Sequence, residues 1–310
     1  MKNKKWFKSA ICLAVGVVTL TAAVFANYDN ANGYSVCKNA LKDVLYEDNY
    51  SMHYEIEIAL DGKPIGTIEK EYKVNGGGDP KRYTSTAQIY PEDEAFTDSR
   101  THQDGQIINQ TSYKNGEHYN VVYTDYNPAD TNVALIGELG DTGEKVIRFL
   151  EALCDTFVGD LKNNFVLAQS QDGNRTYTID LKENQMPDVV TAGVSLLVQN
   201  IKLSMRNVEE ADGSADTMLY DSLFSGGEPY LDSVSGTMTV NAEGLPTAAK
   251  GVATVFGVDA NGKGHTLTIT IAGTASNYGI TTIKKLDLSS IPDLQYLNMR
   301  TVEVESEEQE

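Results

Sequence analysis

The sequence predicts an α+β fold built on one extended antiparallel sheet, with about three helices gathered on one face of it. Three observations carry that expectation. Apolar and polar residues alternate at period two along much of the chain, three separate stretches switch to helical three-and-four spacing, and successive strands are joined by short Gly-containing turns. The regular strand and helix alternation of a parallel sheet is missing.

The chain has 310 residues, 41% hydrophobic and 22% charged, which suits a folded protein with a sizeable core. Lys2, Lys4, Lys5 and Lys8 precede an uncharged apolar run over 10–26, the layout of an export signal. Val24-Phe25-Ala26 offers cleavage after Ala26 and hence secretion. Trp6 and Phe7 lengthen the apolar stretch and favour retention as a single span in the cell membrane. By either route the rest of the chain is expected outside the cytoplasm. Residues 27–32 then form a polar tether, 33–290 an extracytoplasmic domain, and 291–310 an acidic C-terminal tail. The net charge of −19 repels phosphate, so nucleic acid is not an expected partner, and membrane contact falls to the N-terminal segment.

A helix is expected over 34–46, with Cys37, Ala40, Leu41, Val44 and Leu45 on one face. Strict alternation follows: Met52, Tyr54, Ile56, Ile58 and Leu60 against Ser51, His53, Glu55, Glu57 and Ala59, closed by the turn Asp61-Gly62. Further strands are expected over 65–74, 82–90, 106–113 and 118–123, divided by Gly76-Gly77-Gly78, Asp104-Gly105 and Asn115-Gly116. The period returns to helical over 144–161, where Asp141 and Glu144 supply a capping-box start. Strands at 165–169 and 176–181 flank Asp172-Gly173, and Pro187 opens a third helix whose wide apolar stripe includes Leu197 and Ile201. Residues 209–227 read as a long polar connection. Three strands over 233–241, 248–258 and 265–274, joined at Glu243-Gly244 and Asn261-Gly262, complete the sheet, with 281–288 as a further candidate.

No catalytic signature accompanies this pattern. His53, His102, His118 and His265 lack ligands at metal spacing. Asp259-Ala260-Asn261-Gly262 starts like a calcium loop, but Thr270 stands where the bidentate acid is needed, so a hairpin turn is the better reading. Gly76-Gly77-Gly78 lacks the Lys and helix that would cradle phosphate. The expectation is a protein that is not an enzyme and carries no cofactor or metal. Cys37 and Cys154 fall on apolar helix faces and would form either a disulfide in an oxidising compartment or two small core side chains. The 17 tyrosines, several alternating along strands, suit either ordinary sheet packing or a partly apolar concave face rimmed with phenols.

The stretch Asn32-Gly33-Tyr34-Ser35-Val36-Cys37-Lys38-Asn39-Ala40-Leu41-Lys42, followed by the alternating strand, is similar to the extracytoplasmic part of membrane proteins of Gram-positive bacteria. Residues 252–282, with Asp259-Ala260-Asn261-Gly262 and His265-Thr266-Leu267, are similar to their closing strands. The element order resembles the LolA-like lipoprotein-carrier fold, found also in mycobacterial LppX-like lipoproteins that hold acylated lipids. That resemblance implies a sheet curved into a half-barrel with the helices on its concave side. It also implies a non-enzymatic domain binding a lipid or other apolar ligand at the cell envelope. The competing expectation is a structural or sensory ectodomain, its core filled by its own side chains, that binds another envelope protein. Tyr54, Ile56, Tyr119, Val121, Leu197 and Ile201 are the expected ligand contacts, because the apolar faces of strands and helices must meet there.

Overall fold

The computed structural model describes residues 33–90, 92, 95–124, 166–171, 173–183, 226–227 and 229–298. The apolar run at 10–26 and the helices expected over 144–161 and 187–201 lie outside the described residues. Among the described residues no helix is long and apolar enough to cross a membrane.

Among the described residues one α-helix, α1 (Gly33–Tyr46), precedes an open sheet of twelve strands. The strands are β1 (Asn49–Leu60), β2 (Lys63–Asn75), β3 (Arg82–Tyr90), β4 (Phe96–Gln103), β5 (Gln106–Tyr113), β6 (His118–Thr124), β7 (Val166–Gln171), β8 (Asn174–Lys182), β9 (Tyr230–Val240), β10 (Pro246–Val258), β11 (Gly264–Ser276) and β12 (Leu294–Asn298). They lie in the order β12-β6-β5-β4-β3-β2-β1-β11-β10-β9-β8-β7. Neighbours in the order are mostly chain neighbours too, as expected of hairpins. Asp61 and Gly62, both at positive φ (49° and 77°), make the two-residue turn that their sequence announces.

Three elements differ from the sequence reading. Strand β4 pairs along its full length with β3 and β5, yet its sequence, FTDSRTHQ, has no apolar alternation to reveal it. Residues 281–288, a candidate strand, join no ladder. Strand β12 arises at 294–298, where a tail was expected, and pairs parallel with β6, so the sheet is mixed and the folded domain continues past residue 290.

The chain divides into two compact units. The first contains 33–41, 56–65 and the described residues from 166 to 272. Its ladder aligns Tyr177 with Met238, Ile179 with Gly236 and Leu181 with Val234 on β8 and β9. It continues onto β10, with Gly236 opposite Gly251 and Val234 opposite Ala253. One face of these strands is accordingly apolar and buried: Tyr177, Ile179, Leu181, Leu231, Val234, Met238, Ala253 and Val255. Burying a Leu, Ile or Val side chain contributes about 1.5–3 kcal/mol, so this face is a main source of the unit's stability. Cys37 and Ala40 of α1 are fully buried in the same unit. Burial pushes the Cys37 thiol up to about 12, with Arg175 pulling weakly the other way. At two hairpin tips, His265 places Nδ1 2.8 Å from Asp61 Oδ2 and Nε2 3.6 Å from Asp259 Oδ2. Asp61 also accepts the Thr266 N–H, and this bond is the main cause that holds its carboxyl below the usual range.

The second unit contains 42–55, 66–124 and 273–298. On one sheet face Tyr50, Tyr72 and Val74 pack with Val44 from the last turn of α1, and Met52 and Tyr278 border them. Tyr50 stacks on Tyr278 and tilts against Tyr72, each pair with centroids 5.9 Å apart. Gly273 makes the neighbouring strand contact possible, since a Cβ there would meet Tyr54 Cβ at 2.8 Å and the His53 carbonyl at 3.0 Å.

The opposite face of the second unit is crossed by residues 281–293 of the C-terminal segment. Asn49 holds it first: the Thr281 N–H donates to Asn49 Oδ1 at 2.7 Å, and Asn49 Nδ2 donates to the Thr281 carbonyl at 3.3 Å. Gln103 repeats this two-way grip on Leu286, at 2.6 and 2.9 Å. Lys285 pairs with Asp104 and Asp79, and Asn120 Nδ2 donates to the Pro292 carbonyl at 2.7 Å before β12 begins. Thr101, Ile108 and Val122, which alternation places on this face, are buried. Side-chain amides suit such a grip because each offers a donor and an acceptor that match a peptide group.

Candidate functional site

The register of the second unit fixes which side chains share the face that bears α1. From β2 to β6 one cross-strand row reads Tyr72, Thr84, Arg100, Asn109, Val121. The next toward the α1 end reads Val74, Arg82, His102, Ile107, Tyr123. On the other side come Lys70, Thr86, Asp98, Thr111, Tyr119, and then Ile68, Gln88, Phe96, Tyr113. Burial is uneven across these rows, and Ile107 on β5 is buried. Tyr72 and Val74 are fully covered, Arg82 retains 9% exposure, and Tyr119 at the far side is 57% exposed.

Two chemistries meet on this face. The first is aromatic: Phe96 lies against Tyr113 and Tyr113 against Tyr119, both with centroids 6.0 Å apart, the second pair edge-on. Offset and edge contacts are the favourable geometries for such rings. Large aromatic surface left open beside polar groups is the usual mark of a contact site. The second is basic. Arg82 sits with its guanidinium 5.9 Å from the Tyr72 ring, and Arg100 donates its Nε–H to Asn109 Oδ1 at 3.0 Å. His102 lies opposite Arg82 on the neighbouring strand. Burial, then Arg82, then Arg100 bring the His102 imidazole down to about 4. Asp98 accepts a 2.6 Å hydrogen bond from the Thr111 hydroxyl.

The expected contact residues are distributed as follows. Tyr54 is half-buried on β1, and Ile56, two residues along the strand, is 5% exposed and part of the core packing. Tyr119 and Val121 stand on the α1-bearing face of β6, Val121 half-buried. Four strands separate β1 from β6 in the sheet order. At about 4.8 Å per strand, the ladder path from Tyr54 to Val121 is about 24 Å, so the two mark different parts of the face. Leu197, Ile201 and Cys154 lie outside the described residues. Sequence reasoning passed over Phe96, Arg100 and His102 because β4 was not recognised as a strand. The chain turn Asp104-Gly105 between two pairing segments was the available signal. The Asp259 loop is a hairpin turn, its Oδ1 accepting the N–H groups of Asn261 and Lys263. Among the described residues no cluster of His, Cys, Asp and Glu has the arrangement of a metal site.

No protein-family model matches the chain, and the curated proteins contain no match to it. Among solved structures it is similar to a DUF1329 family protein from Desulfovibrio piger, at 9% identity and a TM-score of 0.21, covering 81% of this chain and 93% of that one. It is also similar to a LolA superfamily protein from Nitrosomonas europaea, at 9% identity and a TM-score of 0.19, covering 81% and 94%. Overlap of this size leaves the architecture resting on the strand order and register given above.

Proposed function

We propose that the chain is a non-enzymatic binding domain of the bacterial cell envelope that takes an apolar ligand onto the α1-bearing face of its sheet. In this reading the sheet curves into a half-barrel, and the helices expected over 144–161 and 187–201 join α1 on the concave side. Leu197 and Ile201 supply the helix contacts, and Tyr54, Tyr119 and Val121 the strand contacts. The basic and apolar N-terminus exports the chain and holds or releases it at the membrane. The observation that carries the reading is the exposed pair Tyr113 and Tyr119, with the half-buried Phe96 against Tyr113, on the same face as the buried Tyr50–Tyr72 packing. That face changes from closed core to exposed aromatic surface without changing sides.

The test is binding of the methyl ester of parinaric acid, a neutral fluorescent acyl probe, to the full-length chain. Saturable binding is expected, weakened about tenfold or more in Val121→Asp, since a buried carboxylate against an acyl chain is strongly unfavourable. Unchanged binding to a folded Val121→Asp, Tyr119→Asp double variant would show that the strand contacts are wrongly assigned. Failure of the wild type to bind would favour an ectodomain with a filled core whose partner is another envelope protein.

A further inference from the structure

The C-terminal segment 282–298 is held to the second unit chiefly through its backbone. Gln103 Nε2 donates to the Leu286 carbonyl at 2.9 Å, and Gln103 Oε1 accepts the Leu286 N–H at 2.6 Å. Asn120 Nδ2 donates to the Pro292 carbonyl at 2.7 Å, after which Leu294–Asn298 pairs in parallel with 120–124 of β6. Both gripping side chains are buried, whereas none of residues 282–298 is, and Tyr296 on β12 keeps 60% exposure. An element joined by side-chain amides and one short ladder, with little apolar burial, belongs to the low-stability end of a fold and opens without unfolding the rest.

Opening leaves a template behind. The β6 edge regains a row of unpaired N–H and C=O groups on the side where β12 is its described neighbour, and Gln103 and Asn120 lose the peptide groups that match them. The chain just before the segment stays fixed: Thr281 is buried, donates its N–H to Asn49 Oδ1 at 2.7 Å and donates its hydroxyl to the Asn277 carbonyl at 3.0 Å. Thr282, Lys284 and Lys285 are exposed, which makes 282–285 the pivot. Beyond it, an extended chain from Leu286 to Asn298 reaches about 40 Å, enough to cross to a neighbouring molecule.

We infer that 286–298 is an exchangeable strand, and that its seat on Gln103, Asn120 and β6 is an interaction surface for the same segment of a second copy of this chain. The inference is independent of any ligand on the α1-bearing face. Two copies that exchange these segments make every contact of the closed form twice and complete a symmetric pair. Within one molecule the tethered segment competes at an effective concentration on the order of 1 mM, so dilute protein stays closed and a shortened pivot shifts the balance to the pair.

The experiment deletes Ile283 and Lys284 from the full-length chain and reads mass by analytical ultracentrifugation and amide exchange by mass spectrometry. The pivot is then about 7 Å shorter, and 286–298 no longer reaches its own seat in register. At about 10 µM, roughly a hundredfold below the effective concentration, the variant should be a dimer and the wild type a monomer. The amides of β6 and β12 should be protected in that dimer as in the wild type. Adding Gln103→Ala and Asn120→Ala should weaken the dimer about tenfold or more. A folded deletion variant that stays monomeric would overturn the inference, as would a dimer in which 294–298 exchange freely, since its copies associate by another surface. Should the deletion variant not fold, small-angle scattering of the wild type decides: a mass that rises toward twice the monomer's near 1 mM supports exchange, on the order of the effective concentration, and a constant mass overturns it.

Discussion

His102 gives the second unit a pH dependence that can be worked out in sign and size. Burial and the neighbouring Arg82 and Arg100 bring its imidazole from the ordinary 6.5 to about 4 in the folded protein. In the unfolded chain the ring gains its proton near pH 6.5, so below that value the unfolded state binds the additional proton. Stability attributable to His102 is therefore complete above about pH 6.5 and is lost as the pH falls toward 4. At roughly 1.4 kcal/mol for each pH unit, the loss approaches about 3 kcal/mol. His102→Gln cannot take up a proton, so the variant should lack this slope while keeping a hydrogen-bonding side chain at the position. Urea unfolding followed by circular dichroism between pH 7.5 and 4.5 compares the two. Histidine NMR checks the cause directly, since only His53, His102, His118 and His265 contribute signals and His102 should remain neutral at pH 5. Parallel profiles for wild type and variant, or a His102 signal titrating near 6.5, would refute the reasoning.

Three further outcomes follow from the packing. Gln103→Ala removes both hydrogen bonds to Leu286 from a side chain that is 3% exposed, and should cost about 2–3 kcal/mol and raise amide exchange in 281–298. Unchanged exchange there would show that the C-terminal segment is held by other contacts. Gly273→Ala should destabilise by about 1–3 kcal/mol, because the new Cβ meets Tyr54 Cβ at 2.8 Å; a melting temperature equal to wild type would contradict that close approach. In a Cys12→Ser, Cys154→Ser background, Cys37 should react with iodoacetamide at least about 100-fold more slowly folded than unfolded, given its burial and raised thiol pKa; comparable rates would place it at the surface.

The strands that the sequence displays clearly are those with one wet and one dry face. In β1, Ile56 and Ile58 are buried while Glu55 and Glu57 are exposed, and in β10 and β11 the odd positions Ala253, Val255, Leu267 and Ile269 are buried. Their periodicity is a direct image of burial. Strand β4 escapes because its α1-bearing face is polar apart from Phe96, with Asp98, Arg100 and His102, and its other face meets the C-terminal segment through the polar Gln103. Its identity is fixed by long-range pairing with β3 and β5, which local propensity does not encode. Strand β12 is hidden for a similar reason: it is short, parallel and largely exposed, and it exists because Asn120 and β6 receive it. The same gap concealed the basic part of the candidate site. Tyr119 and Val121 were accessible to pattern reading on β6, whereas Arg100 and His102 became neighbours of that face only once β4 was in the sheet.

Native mass spectrometry of the full-length chain, purified gently from a bacterial host and then extracted with organic solvent, tests most directly whether the α1-bearing face holds a ligand. A stoichiometric adduct is expected that disappears on extraction and is recovered as a lipid or other apolar molecule in the organic phase. A clean mass for the chain alone, together with failure to take up a fluorescent acyl probe, would contradict it.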